Sequence, residues 1–176
     1  MVAKQPLIAF LLLGTLFLVS LPKTCLGSEN RRLEATPIEF VNEYLIAHNK
    51  VRAKLGLPPF EWSEELADYA RWWAQQRQGD CAMIHSHSDH GENLFWGGAG
   101  KEWGAEDAVA FWAGEDKFYN YDTNTCAPGQ QCTHYTQIAW KTTKRVGCAK
   151  VTCNNGNTFI GCNYDPHGNI IGQKPF

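Results

Sequence analysis

The sequence predicts an α+β domain in which helices pack on an antiparallel sheet and disulfides staple the layers together. Three observations predict it. Segments with apolar residues at helical spacing occupy Thr36 to Glu115, segments that alternate with period two follow from His134 onward, and six cysteines lie behind an apolar leader. Helices first and strands later favour segregated layers over the alternating βαβ pattern of a parallel sheet.

The elements follow in chain order. Residues 1–27 carry an early cation, Lys4, then an apolar stretch from Leu7 to Leu21, then Cys25-Leu26-Gly27 with small residues at the cleavage positions. This reads as a signal peptide cleaved after Gly27. The apolar run falls short of the roughly 20 residues needed to span a bilayer, so no transmembrane anchor is expected. Residues 28–35 form a short polar segment, and 36–176 fit one domain with a core of its own. Thr36-Pro37-Ile38-Glu39 has the form of a capping box, and Val41, Tyr44, Leu45, His48, Val51 and Leu55 continue at helical spacing to Gly56. After Leu57-Pro58-Pro59, Ser63-Glu64-Glu65 starts a second helix, with Leu66, Tyr69, Ala70, Trp73 and Ala74 on its apolar face and a stop at Gly79. A third helix is expected over Ala105–Glu115. Three strands are expected at His134–Trp140, Arg145–Thr152 and Thr158–Tyr164, the last two joined by the turn Asn154-Asn155-Gly156-Asn157.

Charge and cysteine usage narrow the function. The leader takes two of the 16 basic residues, Lys4 and Lys23, so 14 remain against 18 acidic ones, a net charge of −4. Nucleic acid is therefore not an expected partner, because phosphate binding rests on clustered Lys and Arg. Of the seven cysteines, Cys25 lies in the leader, leaving Cys81, Cys126, Cys132, Cys148, Cys153 and Cys162. Six thiols in an oxidising compartment read as three disulfides, with about 15 connectivities open to sequence alone. A thiolate zinc site is disfavoured, since Cys126-x5-Cys132 and Cys148-x4-Cys153 are not C-x2-C knuckles. No N-x-[ST] sequon is present, so N-glycosylation is not expected.

The polar residues with chemical potential are His85, His87, His90, Glu92, Glu115 and His134. Histidine and carboxylate can ligate a divalent cation, yet there is no H-E-x-x-H helix. His87 and His90 lie in a Ser/Asp/Gly-rich loop and read as solvent-exposed. On a strand, His134 would share a face with Thr136, Ile138 and Trp140. Ser86 and Ser88 neighbour histidines but lack a G-x-S-x-G elbow, and Gly97-Gly98-Ala99-Gly100 lacks phosphate-loop spacing. No required catalytic part is legible, so an enzyme is not expected. Phe118-Tyr119-Asn120-Tyr121 reads mainly as core, with a groove lining as the alternative. The Pro/Gly-punctuated stretch Pro166–Phe176 reads as a loose terminal arm.

The motifs Tyr44-Leu45-Ile46-Ala47-His48-Asn49, Cys81-x3-His85-Ser86, Gly91-Glu92-Asn93, His134-Tyr135-Thr136-Gln137-x2-Trp140, Gly147-Cys148 and Cys162-Asn163-Tyr164, in this order, resemble the CAP superfamily. That group comprises cysteine-rich secretory proteins, antigen 5 and pathogenesis-related protein 1, and the resemblance is nearest to the plant pathogenesis-related branch. It implies a three-layer α-β-α sandwich with a central antiparallel sheet. It also implies the pairs Cys81–Cys153, Cys126–Cys132 and Cys148–Cys162. Its central cleft carries over onto His85, Glu92, Glu115 and His134, a set that implies room for a divalent cation such as zinc without requiring a cofactor. His87 rivals His85 for its place, and the Cys81-x3-His85 spacing decides for His85. The resemblance further implies a monomer secreted to the apoplast or cell wall, active in defence against fungi and oomycetes. Its expected partner is a pathogen sterol or related lipid, met by an aromatic loop at Phe118, Tyr119 and Tyr121. Cleavage between Asp165 and Pro166 would release an eleven-residue peptide for a receptor, although Phe176 stands where such peptides usually end in Tyr, and Thr133 is unusual before the histidine motif. The alternative reading is a metal-assisted hydrolase built on the four cleft residues.

Overall fold

The computed structural model of the chain describes Met1 and residues 36–176. The expected leader, its cleavage point and the polar segment 28–35 lie outside the described residues. Four helices, α1 (Ile38–Lys54), α2 (Glu64–Arg77), α3 (Ala105–Ala113) and α4 (Thr133–Ile138), surround a sheet. The sheet runs in the order β1 (Glu61–Trp62), β5 (Arg145–Thr152), β6 (Thr158–Asp165), β2 (Gly91–Gly97). β2, β6 and β5 are antiparallel, and the two-residue β1 adds a parallel edge to β5. A separate hairpin pairs β3 (Tyr119–Asn120) with β4 (Thr125–Cys126).

Strand alternation splits the core into two layers. Phe95, Val146, Cys148, Ile160 and Cys162 face α1, α3 and α4, where Tyr44, Val109, Trp112 and Ile138 close the larger core. On the opposite face, Leu94, Ala149 and Phe159 meet Ala70 and Ala74 of α2. The result is the α-β-α sandwich, with α2 alone on one side. Its closeness to the sheet depends on Gly147, whose missing Cβ would lie 2.2 Å from the Ala67 nitrogen and 2.6 Å from the Ser63 carbonyl. The start of α2 is set by Ser63, whose hydroxyl accepts from the Leu66 N–H at 3.4 Å.

The disulfides pin these layers. Cys148–Cys162 crosses directly between β5 and β6, where the two residues are register partners. Cys81–Cys153 ties the chain after α2 to the end of β5, and Cys126–Cys132 ties β4 to the start of α4. The first closes a span of 72 residues, so its restriction of the unfolded chain is large, on the order of 4 kcal/mol by loop-closure entropy.

Five local expectations are corrected. His134–Trp140 is not a strand, because Thr133–Ile138 is the helix α4. Tyr135 through Trp140 are all buried, so no wet face exists to give the residue pattern a structural meaning, and hydrogen bonds from elsewhere decide the conformation. The capping box at Thr36 does not form either: its hydroxyl donates to Glu64 at 2.7 Å, and α1 starts without a side-chain cap. The third helix ends at Ala113 and tightens into a 3-10 turn over Gly114–Phe118, which carries Glu115. Tyr69 and Trp73 of α2 are only half-buried, since Leu66, Ala67, Ala70 and Ala74 make its core stripe. Finally, the C-terminal arm is docked. Gly168 is buried against Trp140, and Lys141 N–H donates to the Pro175 carbonyl at 2.7 Å. β2 was not anticipated, although Gly97-Gly98-Ala99-Gly100 does leave a strand there; the loop leads to Trp103, whose ring fills the space beside Gly97.

Candidate functional site

The four cleft candidates assemble as two His–Glu pairs. Glu92, on β2, accepts from His85 Nδ1 at 2.7 Å, from the Ser86 N–H at 3.0 Å and from Asn163 Nδ2 at 3.4 Å. Asn163 can reach it because β2 and β6 place the two residues opposite each other. Burial pushes the Glu92 carboxyl up, but the bonds from His85 and from Ser86 outweigh it and hold the group below its ordinary range. The bond to Glu92 raises the His85 pKa, against some desolvation. The His85 side chain remains 56% exposed, whereas that of Glu92 is 7% exposed.

Glu115 and His134 form the second pair. Glu115 accepts from His134 Nδ1 at 2.6 Å through Oε1, and from the backbone N–H groups of His134 and Tyr135 at 3.0 and 3.1 Å through Oε2. These N–H groups belong to the first turn of α4 and have no partner within the helix. A carboxylate from the 3-10 turn thus caps a six-residue helix and orients its histidine together. The His134 ring lies nearly parallel to Trp112, with centroids 6.3 Å apart.

Asn93 joins the pairs to the core. Its amide donates to the His134 carbonyl at 3.1 Å and to the Tyr164 hydroxyl at 3.2 Å. Tyr164 in turn lies 2.9 Å from His48 Nε2, while His48 Nδ1 lies 2.8 Å from the Tyr44 carbonyl. A carbonyl only accepts, so Nδ1 carries the proton and Nε2 accepts from Tyr164. Every direction in the chain from Asn93 to Tyr44 is therefore assigned. Complete burial lowers the His48 pKa to about 4, against the help of the Tyr44 carbonyl, and keeps the ring neutral at physiological pH. Burial likewise pushes the Tyr164 hydroxyl well up. Sequence reading placed His48 in the helical stripe and gave it, Asn93 and Tyr164 no role beyond their motifs.

Among the described residues, no three or more His, Cys, Asp or Glu side chains converge to hold a metal ion. Each carboxylate already accepts three hydrogen bonds, whereas each imidazole is oriented by its glutamate through Nδ1 and keeps Nε2, the nitrogen with which a histidine held this way ligates a metal. The pairs as arranged do not fit a four-ligand cage. They do not supply a free carboxylate to activate water either, so the hydrolase reading finds no geometric support.

The other candidates lie apart from these pairs. His87 is exposed, at φ 57°, and the His90 ring packs on Tyr69 at 5.7 Å. Phe118, Tyr119 and Tyr121 border the β3–β4 hairpin, where Tyr119 donates to Asn124 Oδ1 at 2.7 Å. Tyr121 stacks on Phe176 with centroids 4.8 Å apart, and the Lys174 ammonium lies 4.3 Å from its ring centre. Asp165 ends β6, ion-paired with Arg145, and the Pro166 carbonyl accepts from Thr143 Oγ1 at 2.7 Å.

A groove not foreseen from sequence runs between α1 and α3. It has a volume of about 680 Å³ and is lined by the aliphatic Ile46, Ala47, Val51, Val109, Ala110 and Ala113 together with the charged Glu43, Lys50, Lys54, Glu106, Asp107 and Asp116. The alanines of α3 make the furrow by leaving space opposite the larger aliphatics of α1.

Three layers, three disulfides and paired histidine and glutamate define a disulfide-stapled α-β-α domain. The profile of the CAP (Cysteine-rich secretory protein) family matches residues 45–164, and the chain belongs to that family. It is 49% identical to pathogenesis-related protein 1C of Nicotiana tabacum over 134 residues, covering 76% of this chain and 79% of the relative. It is 50% identical to pathogenesis-related protein PRMS of Zea mays over 135 residues, 76% and 81% of the two chains. The match to pathogenesis-related protein 1A of Nicotiana tabacum is 42% over 168 residues and covers 96% of this chain and 94% of that one. Among solved structures, Schistosoma mansoni venom allergen-like protein 4 superposes with a TM-score of 0.61 at 27% identity, covering 80% of this chain and 95% of its own. A structure titled NaASP2 with Zn2+ gives 0.67 at 22% identity, covering 81% and 87%, a likeness of fold. Members of the family are not established enzymes, and the three plant relatives are named as pathogenesis-related proteins.

Proposed function

We propose that this protein is a secreted, monomeric defence protein that captures a sterol or related lipid of a pathogen membrane. Homology of this depth supports a defence protein of the pathogenesis-related protein 1 type. The observation that supports lipid capture is the α1–α3 groove, whose volume of about 680 Å³ lies within the roughly 300–1,000 Å³ typical of small-molecule sites. Ile46, Ala47, Val51, Val109, Ala110 and Ala113 give it an aliphatic strip for a sterol skeleton, and the charged side chains that share the lining are available to its polar end. The aromatic loop is a weaker candidate, because the face of Tyr121 is already engaged by Phe176. Three disulfides suit an oxidising extracellular compartment such as the apoplast.

The test is titration of a fluorescent sterol into wild type and into Ala110→Trp, which fills the groove. Wild type should bind saturably, and the variant should lose at least tenfold in affinity. Growth inhibition of a sterol-dependent oomycete should be relieved by added sterol; inhibition that persists at saturating sterol sinks sequestration as the mechanism. Release of Pro166–Phe176 to a receptor is the second part of the reading, supported by the position of this arm outside the sheet. Mass spectrometry of extracellular fluid for a peptide beginning at Pro166 tests it.

A further inference from the structure

The outer face of α2 carries rings where a solvated helix would carry charge. Tyr69, Trp72 and Trp73 are three and four residues apart and so share one side of the helix. Their centroids form a ladder, 5.4 Å from Tyr69 to Trp72 and 5.6 Å from Trp72 to Trp73. His90 extends it at the Tyr69 end, and the Arg77 guanidinium covers Trp73 at 4.9 Å at the other. None of these rings belongs to the fully buried core. Trp72 is 48% exposed, and Met83 and Ile84, in the segment bonded to the Trp73 indole, are 45% and 46% exposed. Trp73 is held in place by donating its indole N–H to the Ile84 carbonyl at 2.8 Å. That bond also brings the ladder against the residue preceding His85, whose imidazole is itself half-exposed.

The charges around the ladder say what it suits. Arg71 is paired with Asp68, and Arg77 with Asp80, so neither cation is left over for a phosphate or an anionic lipid. Among the described residues, the uncommitted polar groups in line with the rings are Glu65, one turn before Tyr69, and Gln76, one turn after Trp72, while the Ser86 and Ser88 hydroxyls toward His85 bond each other. A carboxylate and an amide recognise hydroxyl groups. Ring faces carry partial negative charge and favour the weakly positive C–H face of a sugar ring over a polyanion.

We propose that the Tyr69–Trp72 ring pair, backed by Trp73, is a platform for a neutral polysaccharide chain, which runs along α2 toward His85. This surface is on a different face of the molecule's elements from the α1–α3 groove, so lipid capture and glycan binding stand or fall separately.

Tryptophan fluorescence during titration with cellohexaose, laminarihexaose and chitohexaose tests the assignment. At least one oligosaccharide should bind saturably in the micromolar to millimolar range. Trp72→Ala should weaken it about tenfold, as expected from the loss of one stacked ring. Trp72 is exposed, so its replacement spares the core, and Met83→Ser provides a second, milder lesion in the exposed segment that Trp73 anchors through Ile84. Trp96→Ala, at an exposed indole on β2, should bind as wild type. Absence of a response to all three sugars at millimolar concentration overturns the proposal. So does unchanged affinity in Trp72→Ala, or sedimentation with phosphatidylcholine vesicles in place of sugar binding.

Discussion

Glu115 holds His134 by both its ring and its backbone: Oε1 accepts from Nδ1 at 2.6 Å and Oε2 from the His134 N–H at 3.0 Å. One side chain therefore fixes where α4 begins and how its histidine points. Replacement by Ala strands the N–H groups of His134 and Tyr135 in a buried setting. The expected loss is about 2–3 kcal/mol by urea denaturation, from buried donors left unpaired. Glu115→Gln retains one acceptor oxygen and should lose less. Equal stability of Glu115→Ala and wild type would show that α4 does not depend on this cap.

His48 gives the domain an acid-sensitive window with a definite sign. Its folded pKa of about 4 lies below the ordinary value of 6.5 because the ring is wholly buried. The unfolded chain therefore binds the extra proton between these values. Stability from this group is complete above about pH 6.5 and falls as pH drops through the folded pKa, by about 3 kcal/mol over the window. Denaturation series between pH 7 and pH 4 should show the slope, and His48→Gln should flatten it. His85 has the opposite sign, since its raised pKa contributes below its unfolded value and is lost as pH rises through the folded one. Its exposure keeps that contribution small.

Gly147 marks the closest approach of helix to sheet. A methyl group there would lie 2.2 Å from the Ala67 nitrogen and 2.6 Å from Leu66 and Ser63 backbone atoms. Backbone cannot step aside as a flexible side chain can. Gly147→Ala should cost about 3 kcal/mol, an overpacking penalty at the high end. Gly161→Ala, where the nearest contacts are side chains at 3.4 and 3.5 Å, should cost clearly less. Thermal melts of the two variants side by side test the difference, and equal melting would mean α2 can shift outward.

What the sequence disclosed follows from how each element is buried. α1, α2 and the β5–β6 hairpin show their period, because dry positions in the helices recur at helical spacing and the hairpin has a turn signal in Asn154–Gly156. β2 gives no alternation: Leu94 and Phe95 are both buried, one against each helical layer, and Gly91 and Gly97 bound the strand. α4 is hidden for the same reason, being dry on nearly every side. The two His–Glu pairs were reachable through motif resemblance, since each residue sits in a distinctive local sequence or a short way from one. The Asn93–Tyr164–His48 chain was not, because its links span 71 and 116 residues and no local pattern encodes them. The groove was equally illegible, as it arises from the mutual placement of α1 and α3.

The C-terminal arm behaves as a latched strap. Asn169 accepts from Thr136 at 2.6 Å and donates to the Thr133 carbonyl at 2.9 Å, Gly168 N–H donates to Gln137 at 2.9 Å, and Asn124 donates to the Gln173 carbonyl at 3.1 Å. At the very end Tyr121 stacks on Phe176 and donates to its carbonyl. Removing residues 166–176 would take the Gly168 donor from Gln137 Oε1, the Asn169 acceptor from Thr136 and the Pro166 acceptor from Thr143, and would uncover Trp140. The truncated chain should lose about 3 kcal/mol, or about 10 °C in Tm, and its tryptophan emission should shift to the red. Tyr121→Ala removes only the terminal latch. It should leave Tm within a few degrees while speeding carboxypeptidase trimming from Phe176 severalfold. A protease acting at Asp165–Pro166 meets a related obstacle, because Asp165 is the last residue of β6 and its carbonyl accepts from Lys144 at 3.0 Å. Cleavage there should therefore accelerate in Tyr121→Ala if the strap must lift first. An unchanged rate would mean the junction opens independently of the latch.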